Sequence, residues 1–272
     1  MGNRYAGVWK NAAGLVIAVV HLIPFYILLA MAVKRPNDFS SRWRLPDYGY
    51  GDNFRAAMGG GKLLQAMTNS LIVTVCSVLL IVLLGSMAAY PLARVRTRVN
   101  LVVLSLFMSV MMVPKLTVLV PLYKLMAGIG GVSTYWGIVL LVTTYKLSAC
   151  IFLYANFIAT IPRALDEAAT IDGCSRFSVF YRIVLPQMMP VTATVIIMNS
   201  VSIWNDFSFS LYFMQSPLKR TVTLAISSFF SQNNTNLNAA AAAALIAIVP
   251  ATVLFLSLQK HYVKGIVDGS VK

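Results

Sequence analysis

Side chains able to do covalent chemistry are scattered along this sequence and never gathered. There are two histidines and three cysteines in 272 residues, and no Ser/His/Asp set stands out. Cys76 and Cys150 fall inside apolar runs and Cys174 in a polar stretch, without metal-ligand spacing. An odd number of cysteines implies no closed disulfide framework. Gly59-Gly60-Gly61-Lys62 invites comparison with a phosphate-cradling loop, but Leu63 stands where Ser or Thr is required and the leading glycine is absent. A flexible loop accounts for it better. No catalytic residue, metal site or cofactor is expected in the chain, and any chemical energy must come from a partner.

The patterned polar stretch lies at 159–187. It reads Ile161-Pro162-Arg163-Ala164-Leu165-Asp166-Glu167-Ala168-Ala169-Thr170-Ile171-Asp172-Gly173. Thr160 can cap a helix there, and Pro162 suits its first turn. Asp166 and Glu167 fall early, where the helix dipole favours anions, and Gly173 suits the left-handed position that ends a helix. Leu165, Ala168, Ala169 and Asp172 share one face by helical spacing, flat enough at the two alanines for close approach by another surface. Ser175 can cap a second helix, in which Phe177, Phe180, Tyr181 and Val184 recur at i, i+3, i+4 and i+7. Two capped helices with a flat acidic face form a docking device directed outside the membrane.

The elements that must hold this stretch are apolar. Mean hydropathy is +0.76, with 58% hydrophobic and 11% charged residues, against about 25% charged in soluble domains. The formal charge of +14 sits mostly between apolar runs, as in loops facing anionic headgroups, and is not read as a nucleic-acid surface. A spanning helix needs about 20 mainly apolar residues. Spans are expected near 11–33, 69–92, 99–122, 133–157, 188–213 and 238–258, giving an all-α membrane protein of six spans in one domain, 1–272, with both termini on one side. Ala30-Met31-Ala32 looks like a signal-peptidase site, but the uncharged run before it exceeds the roughly 7–15 residues of a signal core, so it is read as a retained span. The third run is short and is followed by Lys115, Pro121 and Lys124, which implies a helix ending early and then irregular backbone shielded by protein. Met108, Met111 and Met112 read as packing residues. Lys/Arg counts leave the two sides nearly equal. Only the short loop with Arg94, Arg96 and Arg98 and the tail from Lys260 argue for cytoplasmic placement.

Lys146 and Asp206 interrupt neighbouring apolar runs, with Lys115 a third candidate. Charge at mid-membrane costs about 2.5–3.5 kcal/mol on insertion scales, so Lys146 and Asp206 are either a neutralising pair or an ion relay. A relay would suit a secondary transporter, although no inverted repeat is visible.

Glu167-Ala168-Ala169, then Gly173, then Ile183-Val184-Leu185-Pro186 resembles the EAA motif of permeases in binding-protein-dependent ABC importers. The run from Leu165 to Gly173 is similar to the carbohydrate-uptake branch, in the style of the smaller maltose-importer permease. Asn53-Phe54 ahead of Asn69-Ser70-Leu71-Ile72-Val73-Thr74, the Trp204-Asn205-Asp206 stretch and the 260–272 tail with Gly265 and Gly269 resemble the same branch. The resemblance implies a prokaryotic inner-membrane location, with loop 159–187 and both termini cytoplasmic. It implies an ATPase dimer that binds ATP and Mg, a second, related permease and an extracytoplasmic solute-binding protein. By position, Glu167 would meet a basic residue of the ATPase, Ala168 and Ala169 would give close contact, and Gly173 would supply the turn. The solute would be a di- or oligosaccharide, or alternatively a polyol or glycerol-phosphate compound. Sugars are bound by aromatic faces and directional hydrogen bonds, which places Tyr135, Tyr145, Trp204, Asn205 and Asp206 nearest the solute path. The aromatic members of that set suit interfacial anchors equally well.

Overall fold

The computed structural model describes residues 2–59, 62–95, 97–231 and 234–270. Gly60, Gly61 and Arg96, which belong to the expected glycine loop and basic loop, lie outside the described residues. Helices dominate, as backbone in lipid must satisfy its own hydrogen bonds. Among the described residues, four helices are long and apolar enough to cross a membrane: α1 (Gly2–Ala32, apolar from Trp9), α3 (Lys62–Arg94), α6 (Tyr135–Thr160) and α13 (Leu237–Ser270, apolar to Ser257). A bent pair makes a fifth when counted as one crossing.

The chain falls into two compact units. One comprises residues 1–64 and 225–249, with α1, the short helix α2 (Asp52–Met58) and the start of α13. A two-residue antiparallel strand pair, β1 (Phe230–Ser231) with β2 (Asn234–Thr235), precedes α13. The polar segment of this unit is braced by buried groups. Lys34 is buried and donates to Ser40 Oγ at 2.8 Å and Ser41 O at 2.7 Å. Asn53 Nδ2 holds the carbonyls of Ala32 and Lys34, and Asn238 Nδ2 holds those of Lys34 and Arg35. Hydrogen bonds from Ser40 and Tyr48 keep the Asp38 carboxyl well below the usual carboxylate range, and the Tyr48 bond in turn raises the Tyr48 phenol. Alanines 239–243 are buried, a stripe thin enough for close helix approach.

The second unit, residues 65–224 and 250–272, carries the candidate site. Its axis is α6, whose Ile138, Leu141, Ile151, Tyr154 and Ile158 are buried along its length. The third expected span resolves into α4 (Arg98–Met111) and α5 (Leu119–Gly128), joined by turns around Pro114. At about 1.5 Å per residue neither alone crosses a hydrocarbon core of about 30 Å. After α6 come α7 (Ala164–Ile171), α8 (Arg176–Val179), a π-helical turn (Phe180–Val184) and α9 (Leu185–Gln187). The segment Arg176–Gln187 meets α10 (Met189–Trp204) at 72°, with Pro186 and Pro190 at the bend. The expected continuous run 188–213 is also broken at its far end, where α10 stops at Trp204 and α11 (Ser208–Phe213) restarts. The N-cap of α11 is Phe207, and the Asp206 carboxylate before it accepts the first-turn amide of Ser210 at 3.0 Å. A six-residue helix, α12 (Val222–Ser227), follows.

α6 and α10 are joined by a polar ladder. Lys146 donates to Ser202 Oγ at 2.6 Å, Asn199 Nδ2 to Cys150 Sγ at 3.2 Å, and the Tyr154 hydroxyl to Thr192 Oγ1 at 3.3 Å. Residues 146, 150 and 154 recur every four positions, so one face of α6 meets one face of α10. Such interhelical bonds fix register where lipid gives no hydrophobic drive for helix association.

Candidate functional site

α7 begins without a side-chain cap. Its N-cap is Arg163, whose carbonyl takes the amides of Asp166 and Glu167, whereas the expected cap, Thr160, is the last residue of α6 and donates to Phe157 O. The reason is spacing: Thr160 lies too far ahead of a helix that starts at Ala164. The other end follows the sequence pattern. Gly173 sits at φ +82°, its amide bonds Thr170 O at 3.1 Å, and the Cys174 amide bonds Ala169 O at 2.9 Å. These two bonds form a Schellman turn, which a β-carbon at positive φ would strain. Ser175 then caps α8 through Ser178 N at 3.3 Å.

The face expected to be flat is split. Ala169 is buried, while Leu165, Glu167, Ala168, Ile171 and Asp172 are exposed, Ile171 at 86%. Ala169 therefore seats α7 on its own unit, and of the two alanines only Ala168 lies on the outer surface, with Glu167 beside it. The aromatic stripe divides as well. Phe180 and Val184 are buried, but Phe177 and Tyr181 are exposed and stack on each other with centroids 4.7 Å apart. A π-helical turn takes the chain off the 3.6-residue register from Phe180 to Val184, where Tyr181 lies, whereas Phe177 precedes that turn.

Asp166 turns inward to a partner not anticipated. Arg94 Nε lies 2.8 Å from Asp166 Oδ2, Arg94 Nη2 donates to Oδ1 at 3.1 Å, and Arg94 Nη1 donates to Ile161 O at 2.9 Å. The two side chains are 8% and 18% exposed. Tyr90, one turn earlier on α3, reaches Oδ2 at 3.5 Å and stacks on Phe180 at 5.3 Å. A groove of about 710 Å³ opens beside them, lined by Met87, Pro91, Glu167, Ile171 and Phe177 among others.

A second polar centre lies at the break between α10 and α11. The expected pairing of Asp206 with Lys146 is not formed. Asp206 pairs instead with Lys115, from the turns between α4 and α5, and that ammonium also lies 4.0 Å from the Phe209 ring centroid. The broken third span supplies a closer cation than the neighbouring helix does. Lys146 uses Ser202, and stays within electrostatic reach of both charges. Tyr145 packs edge-on against Phe209 at 5.4 Å, so Tyr145 and Asp206 border one cluster. Tyr135, Trp204 and Asn205 have other surroundings, although Asn205 stands at the same break. Tyr135 donates to Asn69 Oδ1 at 2.7 Å, Trp204 lines an apolar cavity of about 310 Å³, and Asn205 turns back to Val201 O. Arg94 and Lys115 were visible in sequence only as charges beside apolar runs.

Comparison with known proteins gives one consistent answer. The family model described as "Binding-protein-dependent transport system inner membrane component" matches residues 81–268. The melibiose/raffinose/stachyose import permease protein MelC of Bacillus subtilis is 42% identical over 94% of this chain and 94% of its own. The probable starch degradation products transport system permease protein AmyC of Thermoanaerobacterium thermosulfurigenes is 34% identical over 95% and 94%. A chain of a bacterial ABC transporter that imports the acidic polysaccharide alginate superposes with a TM-score of 0.82 over 96% of this chain and 97% of that one, at 17% identity, a likeness of fold.

Proposed function

We propose that this chain, which belongs to the family of binding-protein-dependent transport system inner membrane components, is the permease subunit of an ATP-driven sugar importer. The observation that carries the reading is the α7–α8 hairpin, a structured, partly exposed device between two apolar segments of a chain whose sequence shows no catalytic set. In this reading the four long helices, the α4–α5 pair and the bent α8–α10 segment make six crossings. Loop 159–187 and both termini face the cytoplasm. α7 sits on one subunit of an ATPase dimer, and ATP and Mg belong to that partner. A second permease completes the solute path and a binding protein delivers solute from outside. The transported solute is a di- or oligosaccharide, supported by the specificities that MelC and AmyC carry in their names; a polyol or glycerol-phosphate compound is the alternative.

The test is purification of the tagged chain from its own membranes, followed by reconstitution. An ATPase and a second permease should come with it, and solute-loaded binding protein should raise ATP hydrolysis. Uptake that needs an ion gradient and no ATPase would make the chain a secondary transporter, with Lys115–Asp206 as its charge relay.

A further inference from the structure

We propose that Arg94 is the positioning residue that links the docking helix to α3, so that motion of α7 tips that helix; the inference rests on the docking role of α7. By chain connectivity α7 hangs only from α6 on one side and α8 on the other. The link to α6 is three residues, 161–163, with no side-chain cap on α7. Beyond the buried seat of Ala169, Arg94 supplies a directional polar attachment to α3. Its guanidinium donates from Nη2 to Asp166 Oδ1 and from Nη1 to the Ile161 carbonyl, with Nε in ion-pair contact with Oδ2, and so grips the helix and the joint before it. A planar fork fixes orientation as well as distance.

The end of α3 is itself held. Asn100 Nδ2 donates to Val95 O at 2.7 Å and Pro91 O at 3.2 Å, and Thr97 caps α4 through Asn100 N. A displacement of Asp166 is therefore carried into α3 and α4 together and is not lost in a loose turn. From Arg94 to Asn69 α3 is unbroken. At that far end Asn69 Nδ2 holds the carbonyls of Leu218 at 3.0 Å and Arg220 at 2.9 Å, and Ser70 Oγ holds the Val222 amide. Thr223, the next residue, donates to the Asp206 carbonyl at 2.7 Å. The Arg94 fork and the Lys115–Asp206 centre are thus the two ends of one continuous set of contacts. A packed helix with both ends bonded moves as a body, which is what coupling across a membrane requires.

The experiment uses the whole complex, reconstituted with binding protein and its solute, and reads three quantities: ATPase co-purification, basal hydrolysis and solute-stimulated hydrolysis. Arg94→Gln should assemble normally, keep basal hydrolysis and lose about tenfold in the stimulated-to-basal ratio, the loss expected for one charge-assisted fork. Arg94→Lys should restore the ratio only in part, since one ammonium cannot satisfy Asp166 and Ile161 in the same geometry. Asp166→Asn, which keeps shape and leaves the Ile161 bond, should fall between them, and it carries the test should Arg94→Gln fail to insert. A stimulated ratio within twofold of wild type in assembled Asp166→Asn, and in Arg94→Gln where it assembles, would overturn the linkage. Loss of co-purification in Asp166→Asn would overturn it too, by making the fork a docking element. Failure of the wild-type chain to bring an ATPase would instead sink the importer reading, a separate outcome.

Discussion

At Asp206 the decisive quantity is the cost of an unmatched charge. Its carboxylate is shared between Lys115, the Ser210 amide and the Ser210 hydroxyl. Asp206→Asn keeps the size and can still accept the Ser210 amide, but it leaves Lys115 facing Phe209 and Lys146 with no anion. Lys115→Gln leaves the reverse imbalance. Removing one partner of a desolvated pair costs up to about 3–5 kcal/mol, while removing both is often close to neutral. Each single variant should lower the level of folded protein, and the Lys115→Gln/Asp206→Asn double should recover it. Lys146→Gln in the Asp206→Asn background should recover less, because Lys146 already has Ser202. Thermal stability in detergent separates these; equal rescue by Lys146→Gln would restore the pairing expected from sequence. That expectation identified the right carboxylate and the wrong cation. Two charges in neighbouring apolar runs were legible, but where an irregular connection sends a lysine is a property of its turns, and no periodicity reports that.

Within the proposed docking element, existence and C-terminal boundary separate from orientation. The presence of α7, its end at Gly173 and the cap of the next helix at Ser175 were all legible, because each rests on a local backbone rule. The direction of its faces was not. A helical wheel assigns Ala168 and Ala169 to one surface, yet only Ala169 is buried, and the wheel fails outright where the π turn inserts its extra width. The two alanines should therefore fail in different ways. Ala169→Leu overpacks a closed seat and should cost about 1–3 kcal/mol of stability with lowered yield. Ala168→Leu should leave folding intact and weaken ATPase co-purification. Gly173→Val should insert normally but re-aim α8, since a β-branched residue at φ +82° is strained. Thermal melts run beside pull-downs decide it. Intact ATPase binding in Ala168→Leu, or an unshifted melt in Ala169→Leu, would contradict the split face.

For the molecule as a whole, the sequence says more about what lies in lipid than about which way it faces. Hydrophobic length located the four long helices almost without loss, because a bilayer demands continuous apolar helix. It blurred the third and fifth runs, where Pro114, Pro186, Pro190 and Asp206 divide the helix. Orientation rests on the docking loop: if α7 meets an ATPase, then loop 159–187 is cytoplasmic, and three crossings between them (α3, the α4–α5 pair and α6) put the polar segment after α1 outside. Phe39, 94% exposed in that segment, and Arg182, exposed within the π turn, are suitable probes. On a background with Cys76, Cys150 and Cys174 replaced, Phe39→Cys should react with an impermeant maleimide in intact spheroplasts, and Arg182→Cys only after permeabilisation. The comparison also counts crossings, because an odd number between the two sites is what separates them. Reaction of both from outside would mean that α4 and α5 do not together make a crossing. Reaction of Arg182→Cys alone would invert the chain, and the α7 face could then meet no cytoplasmic ATPase.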